Sequence, residues 1–152
     1  KWKFGRKRRR IGSCTLGEQL RVGSAELGQV LGCDLVRHRA HRFFAPEEVE
    51  TLRGLPEPAA IERFFDYWTL KEAYLKARGF GLNLPLDAFA MQVSREAIEI
   101  SFKPDIADDP DGWRFSLCSP SPSHRLAIAD GSRADGGLPI SRNAWPLREA
   151  AE

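Results

Sequence analysis

Apolar residues at Phe64, Phe65, Trp68, Tyr74 and Leu75 recur at intervals of three and four, the spacing that lines one face of a helix. Residues 59–78 therefore predict a long central helix. Gly79 and Gly81 stop it, since glycine closes a helix end at little conformational cost. Residues 43–55 predict a shorter helix. Pro46 suits its first turn, Glu47 and Glu48 favour the positive helix start, and Gly54 ends it. Pro56 and Pro58 separate the two. Beyond residue 82 the pattern becomes strand-like alternation. Phe89, Met91 and Val93 alternate, then Ile98, Ile100 and Phe102, with a hairpin break at 94–96. Residues 104–112 form a loop. Trp113, Phe115 and Leu117 predict a third strand, and residues 126–129 a fourth after a Pro/Ser turn at 119–123. Earlier in the chain, Val30, Leu31, Cys33, Leu35 and Val36 predict a strand interrupted by Asp34. Residues 13–33 are rich in Gly and Leu with weak periodicity, compatible with short strands or a short helix around Ala25–Leu31. The order is strand, helix, long helix and antiparallel meander. That is an α+β fold, with an antiparallel sheet packed against a long central helix.

At 152 residues the chain suits one domain with a sizeable core. The expected division is a basic, weakly ordered leader over 1–29, a domain over 30–130 and a flexible tail over 131–152, where Gly, Pro, Arg and Ala dominate. No apolar run is long enough to span a membrane, and no signal-peptide order is visible. Cys14, Cys33 and Cys118 are widely spaced with no CxxC pair, which argues against zinc or dithiol chemistry and suits a reducing cytoplasm.

The net charge of +2 hides a polarity. The first ten residues carry seven lysines and arginines and no acid; the rest holds 16 basic and 21 acidic residues, a balance of −5. Such a run can bind nucleic acid or another anion. No nucleic-acid reading module accompanies it, so solvated terminus is the preferred reading.

Three places carry candidate chemistry. Asp34 sits inside an apolar strand, where an unpaired carboxylate is costly; it caps a chain end, pairs with a base or binds a cation. Lys71, Glu72 and Lys76 share the long helix, with Glu72 and Lys76 at i,i+4 on one flank. Taken alone, Glu72 and Lys76 read as a surface ion pair. The third place is the basic cluster 37–42. His38 and His41 lack a third metal ligand nearby, so they read as solvated, whereas Arg37, Arg39 and Arg42 could meet an anion.

These residues resemble a known family. Gly32-Cys33-Asp34, Phe43-Phe44-Ala45-Pro46-Glu47-Glu48, Trp68-Thr69-Leu70-Lys71-Glu72-Ala73-Tyr74-Leu75-Lys76 and Gly79-Phe80-Gly81-Leu82 match in order the pattern of the 4′-phosphopantetheinyl transferases, over about residues 30–130. The likeness is greatest to the C-terminal half of the Sfp-type branch. The resemblance implies Mg²⁺-assisted transfer of the phosphopantetheine arm of coenzyme A to a serine of an acyl or peptidyl carrier protein. It implies Asp34 and Glu72 as magnesium ligands and Glu72, directly or through water, as the base for the serine. It further implies Lys71 and Lys76 at the phosphates and Glu48 orienting the water or the serine. The residues that grip the adenine and 3′-phosphate in that branch are largely missing, and Arg37, Arg39 or the basic run 1–10 would substitute for them at coenzyme A. Trp68 is expected to pack the helix against the sheet. Val36 stands where Sfp-type members carry a second acid, as it does in the short homotrimeric holo-carrier-protein synthases. Residues 1–31 are too short for the N-terminal half of an Sfp-type enzyme, which leads to the expectation of a homo-oligomer. The alternatives are a weak or inactive relative that binds only carrier protein, and an anion- or nucleic-acid-binding protein acting through its basic N-terminus.

Overall fold

A computed structural model describes residues 11–16, 40–79, 84–121 and 124–131. Helix α1, Pro46–Gly54, begins after an extended Ala45 with proline in its first turn, where the missing N–H costs nothing. Helix α2, Glu57–Arg78, follows after Pro56. It ends at Gly79, whose φ of 71° is left-handed and whose N–H reaches back to the carbonyls of Leu75 and Lys76. Both helices lie where the periodicity predicts them.

The buried stripe of α2 runs through Ala60, Phe64, Tyr67, Leu70, Ala73 and Tyr74, steps of three and four that keep one face turned inward. Thr69, Lys71 and Leu75 are buried with it. Around Tyr74, the rings of Phe89, Phe102 and Trp113 lie 4.8, 5.6 and 4.9 Å away between centroids. Nearer the start of α2, Phe44 packs on Phe64 at 5.0 Å and Tyr67 at 5.9 Å. Aromatic rings in these offset and tilted geometries contribute beyond the area they bury. Trp68 is half-buried, edge-on to Phe43, which precedes α1, and stacked on Phe64 one turn earlier on α2 itself.

The strands depart from the single meander the alternation predicts. A 3-10 turn, Leu86–Ala88, leads into β2, Phe89–Val93, which forms an antiparallel hairpin with β3, Ile98–Phe102. Phe89 faces Phe102, Met91 faces Ile100 and Val93 faces Ile98, while Gln92 and Glu99 pair on the opposite face. A second 3-10 turn, Pro110–Gly112, then carries the chain into a separate sheet. There β4, Arg114–Ser121, pairs with β5, His124–Asp130, and β5 also pairs with β1, Ile11–Leu16. The order is β1-β5-β4, with β5 central.

Strand β1 falls in the leader that the charge pattern set aside as weakly ordered. Alternation reports that a stretch can be a strand, but not which distant strand it joins; β1 finds β5 more than a hundred residues away. The predicted strand around Asp34 lies outside the described residues. Helix α2 runs across β1 and β5, and the small residues Ala127 and Ala129, both fully buried, let it approach closely. Among the described residues no helix is long and apolar enough to cross a membrane.

Candidate active site

Two successive residues of α2 face different worlds. Lys71 lies on the inward stripe, seven residues after Phe64, four after Tyr67 and three before Tyr74. Its side chain is 0% exposed. Its Nζ lies 2.9 Å from Glu48 Oε2, donates to the Leu86 carbonyl at 2.7 Å and donates to the Phe89 carbonyl. The face of the Phe89 ring covers the ammonium at 4.3 Å, a cation–π contact that holds the charge by the ring's electron density.

Glu48 is equally enclosed, with 1% of its side chain exposed. Its Oε2 also accepts from the Ala45 N–H at 2.8 Å, and Oε1 accepts from the Met91 N–H at 2.8 Å. Burial pushes the Glu48 carboxyl up and the Lys71 ammonium down; the facing opposite charge and the hydrogen bonds act in the other direction on each. A desolvated pair of this kind holds only when its remaining donors and acceptors are satisfied, and here four backbone groups do that.

Glu72 and Lys76 sit one turn apart on the flank of α2. Glu72 is half-buried and Lys76 exposed. Lys76 is therefore free to reach into solvent, and Glu72 presents carboxylate oxygens, the hard donors that Mg²⁺ takes. Among the described residues no cluster of three or more His, Cys, Asp or Glu stands ready for a metal. Asp34 and Arg37 lie outside the described residues. His41 is exposed and accepts from Arg53, in keeping with the expected surface role.

The four helical residues named from sequence thus separate into two groups. Glu72 and Lys76 lie one turn apart on the flank of α2, and Glu48 and Lys71 are brought together in the interior. An ammonium whose three donors are already engaged and which has no exposure cannot meet a phosphate in this arrangement, so the expected coenzyme A contact of Lys71 does not fit the geometry. The signal was present in the sequence: Lys71 is in phase with the apolar stripe.

Sequence reasoning also missed Asp108. In the loop between β3 and β4, its Oδ2 accepts from Tyr74 Oη at 2.8 Å and Trp113 Nε1 at 3.0 Å, and lies 2.6 Å from Arg78 Nη1. It pins the last turn of α2, the turn that carries Lys76 and leads into the Gly79 cap. Arg125 on β5 performs a similar service further back. It contacts Asp66 on α2 at 3.1 Å and Ser119 on β4 at 2.6 Å. Neither residue stands out from the solvated charges around it in the sequence.

Comparison with known proteins places this geometry in a family. The model of the 4'-phosphopantetheinyl transferase superfamily matches residues 30–129. The 4'-phosphopantetheinyl transferase HetI of a Nostoc species is 58% identical over 43 residues, covering 28% of this chain and 18% of that protein. The 4'-phosphopantetheinyl transferase Sfp of Bacillus subtilis is 25% identical over 109 residues, covering 62% of this chain and 48% of that protein. The chain thus spans less than half the length of these relatives. Among solved structures, the holo-ACP-synthase of Plasmodium yoelii superposes with a TM-score of 0.54 at 14% identity, over 79% of this chain and 91% of that one; this supports the α+β fold. A family match over residues 30–129 takes in α1, the motif helix α2 and both hairpins together, and the chain belongs to the 4'-phosphopantetheinyl transferase superfamily.

Proposed function

We propose that this chain transfers the 4′-phosphopantetheine group of coenzyme A to a serine of an acyl or peptidyl carrier protein. The observation that carries the reading is the half-buried Glu72 and the exposed Lys76, one turn apart on α2, the motif helix of a family member. In the reaction the serine Oγ attacks the pantetheine-side phosphorus of the pyrophosphate. A new P–O ester bond forms, the anhydride P–O bond breaks, and 3′,5′-adenosine bisphosphate leaves with the bond's electron pair. The serine proton passes to Glu72 or to a water held by it. Lys76 meets the phosphates as a mobile point charge and offsets the charge that builds on the leaving group. Glu72 and Asp34 would hold Mg²⁺. When bound, the ion would neutralise charge on the pyrophosphate. Arg37 remains a proposed contact to coenzyme A.

Mass spectrometry of an apo carrier protein incubated with the chain, coenzyme A and Mg²⁺ tests the reading. A phosphopantetheine mass gain is expected. No gain, alongside a working control enzyme, would sink it.

Self-association belongs to the same proposal. Phe43, Phe65 and Trp68 are only half-buried against the core, an apolar surface that a second copy would cover. A purely monomeric species in analytical ultracentrifugation would count against it.

A further inference from the structure

We infer that Lys71 and Glu48 are positioning residues, a buried joint that sets the rotation of α2 so that Glu72 faces outward, and that neither touches the transferred group. The inference rests on the proposed role of Glu72 as a magnesium ligand.

The joint ties four pieces of chain at one point. Glu48 rises from the first turn of α1 and takes the N–H of Ala45, which precedes that helix, and the N–H of Met91 on β2. Lys71 rises from the middle of α2. Its ammonium pairs with the Glu48 carboxylate and donates hydrogen bonds to the carbonyls of Leu86 in the 3-10 turn and Phe89 at the start of β2. An ammonium has three donors and no acceptor capacity, and three acceptors surround it here.

Successive residues on a helix are turned by about 100° about its axis. A Lys71 locked inward therefore fixes the direction in which Glu72 projects. Any rolling of α2 that carried Glu72 off its bearing would have to pull an ammonium away from a buried carboxylate and two carbonyls. A surface ion pair would impose no such restraint, because water replaces its partners cheaply.

The groups that hold a metal ligand in place alter metal affinity about 10- to 100-fold when lost, so a direct metal measurement separates positioning from ligand contact. Mn²⁺ serves as the probe, titrated into the full chain with coenzyme A present and followed by electron paramagnetic resonance. The wild type, Lys71→Met, Glu48→Gln and Glu72→Gln are compared, each with a thermal unfolding curve and a Michaelis constant for coenzyme A at saturating metal.

Lys71→Met is expected to weaken Mn²⁺ binding about tenfold or more and to lower the melting temperature. Its Michaelis constant for coenzyme A should stay within about twofold of wild type, a factor worth under half a kcal/mol. Glu48→Gln, which keeps the side-chain size, should move in the same direction by less; it decides the matter if Lys71→Met does not fold.

Two results overturn the inference alone. One is wild-type metal binding in both joint variants while Glu72→Gln loses it. The other is an unchanged melting temperature in Lys71→Met with a tenfold rise in the coenzyme A constant, which would make Lys71 a phosphate ligand. Wild-type Mn²⁺ binding in Glu72→Gln overturns the reading of Glu72 and the inference with it.

Discussion

At the scale of single residues, the balance at Lys71 and Glu48 is decided by their backbone partners. Removing one member of a buried ion pair costs about 3–5 kcal/mol, and replacing both by apolar residues often restores what was lost. Restoration is not expected here. A Lys71→Met/Glu48→Met double variant would leave the N–H groups of Ala45 and Met91 and the carbonyls of Leu86 and Phe89 without their present partners. Each buried polar group left unpaired costs about 1–3 kcal/mol. Urea unfolding should find the double variant no more stable than Lys71→Met; recovery to within about 1 kcal/mol of wild type would show that the backbone contacts carry little. Glu72 is the opposite case. It is half-buried on the helix flank, so Glu72→Gln should change stability by no more than about 0.5 kcal/mol. Turnover should fall about 100-fold or more if the carboxylate acts where charge develops. A variant with full turnover would remove Glu72 from the site. The two neighbours differ only in phase: Lys71 falls on the stripe of Phe64, Tyr67 and Tyr74, and Glu72 one step off it. That much was legible in the sequence. Reading Lys71 through the family motif alone assigned it to the phosphates, because a motif records residue types and not which way they point.

Among the elements, α1, α2 and the β2–β3 hairpin were legible because local rules fix them. Proline at helix starts, glycine at the stop and period-two alternation each act within a few residues. The division of the strands into two sheets was not legible, since nothing local in 103–112 says that the chain leaves one sheet for another. What anchors that loop is Asp108, reaching Tyr74, Arg78 and Trp113. A carboxylate that accepts from a charged and two neutral donors is worth more than an ordinary surface acid, with hydrogen bonds to charged groups contributing about 1.5–3 kcal/mol. Asp108→Ala should therefore destabilise by about that amount in urea unfolding. Amide exchange should quicken most in the last turn of α2, around Leu75 and Lys76; uniform acceleration through the whole helix would mean that Asp108 has no local hold on its end. Gly79→Ala tests the same end through the backbone. A Cβ there meets nothing within 4 Å, but φ is +71°, so the cost should be the conformational one of about 1–2 kcal/mol.

For the molecule as a whole, the basic terminus and the fold meet at Ile11. Seven of the first ten residues are Lys or Arg, and β1 begins immediately after them. Charge composition merged the two into one leader, because a run of cations says nothing about where pairing starts. The structure separates them: β1 is an edge strand of the β1-β5-β4 sheet, paired with β5 from Ile11↔Asp130 to Leu16↔Arg125. Two truncations should then behave differently. Removing residues 1–10 takes away the cations and leaves the sheet whole, so retention on heparin should collapse while the melting temperature changes little. Removing residues 1–16 also strips one side of β5, leaving a row of its N–H and C=O groups without their strand partner. The strand carrying the fully buried Ala127 and Ala129 would then border solvent beneath α2. The melting temperature of the longer truncation should fall by several degrees, each kcal/mol lost being worth about 2–4 °C to 4–8 °C in domains of this size range. Carrier-protein modification should survive the first truncation and weaken in the second. Equal loss in both would place the basic run inside the functional unit and favour the reading in which an anionic partner binds there.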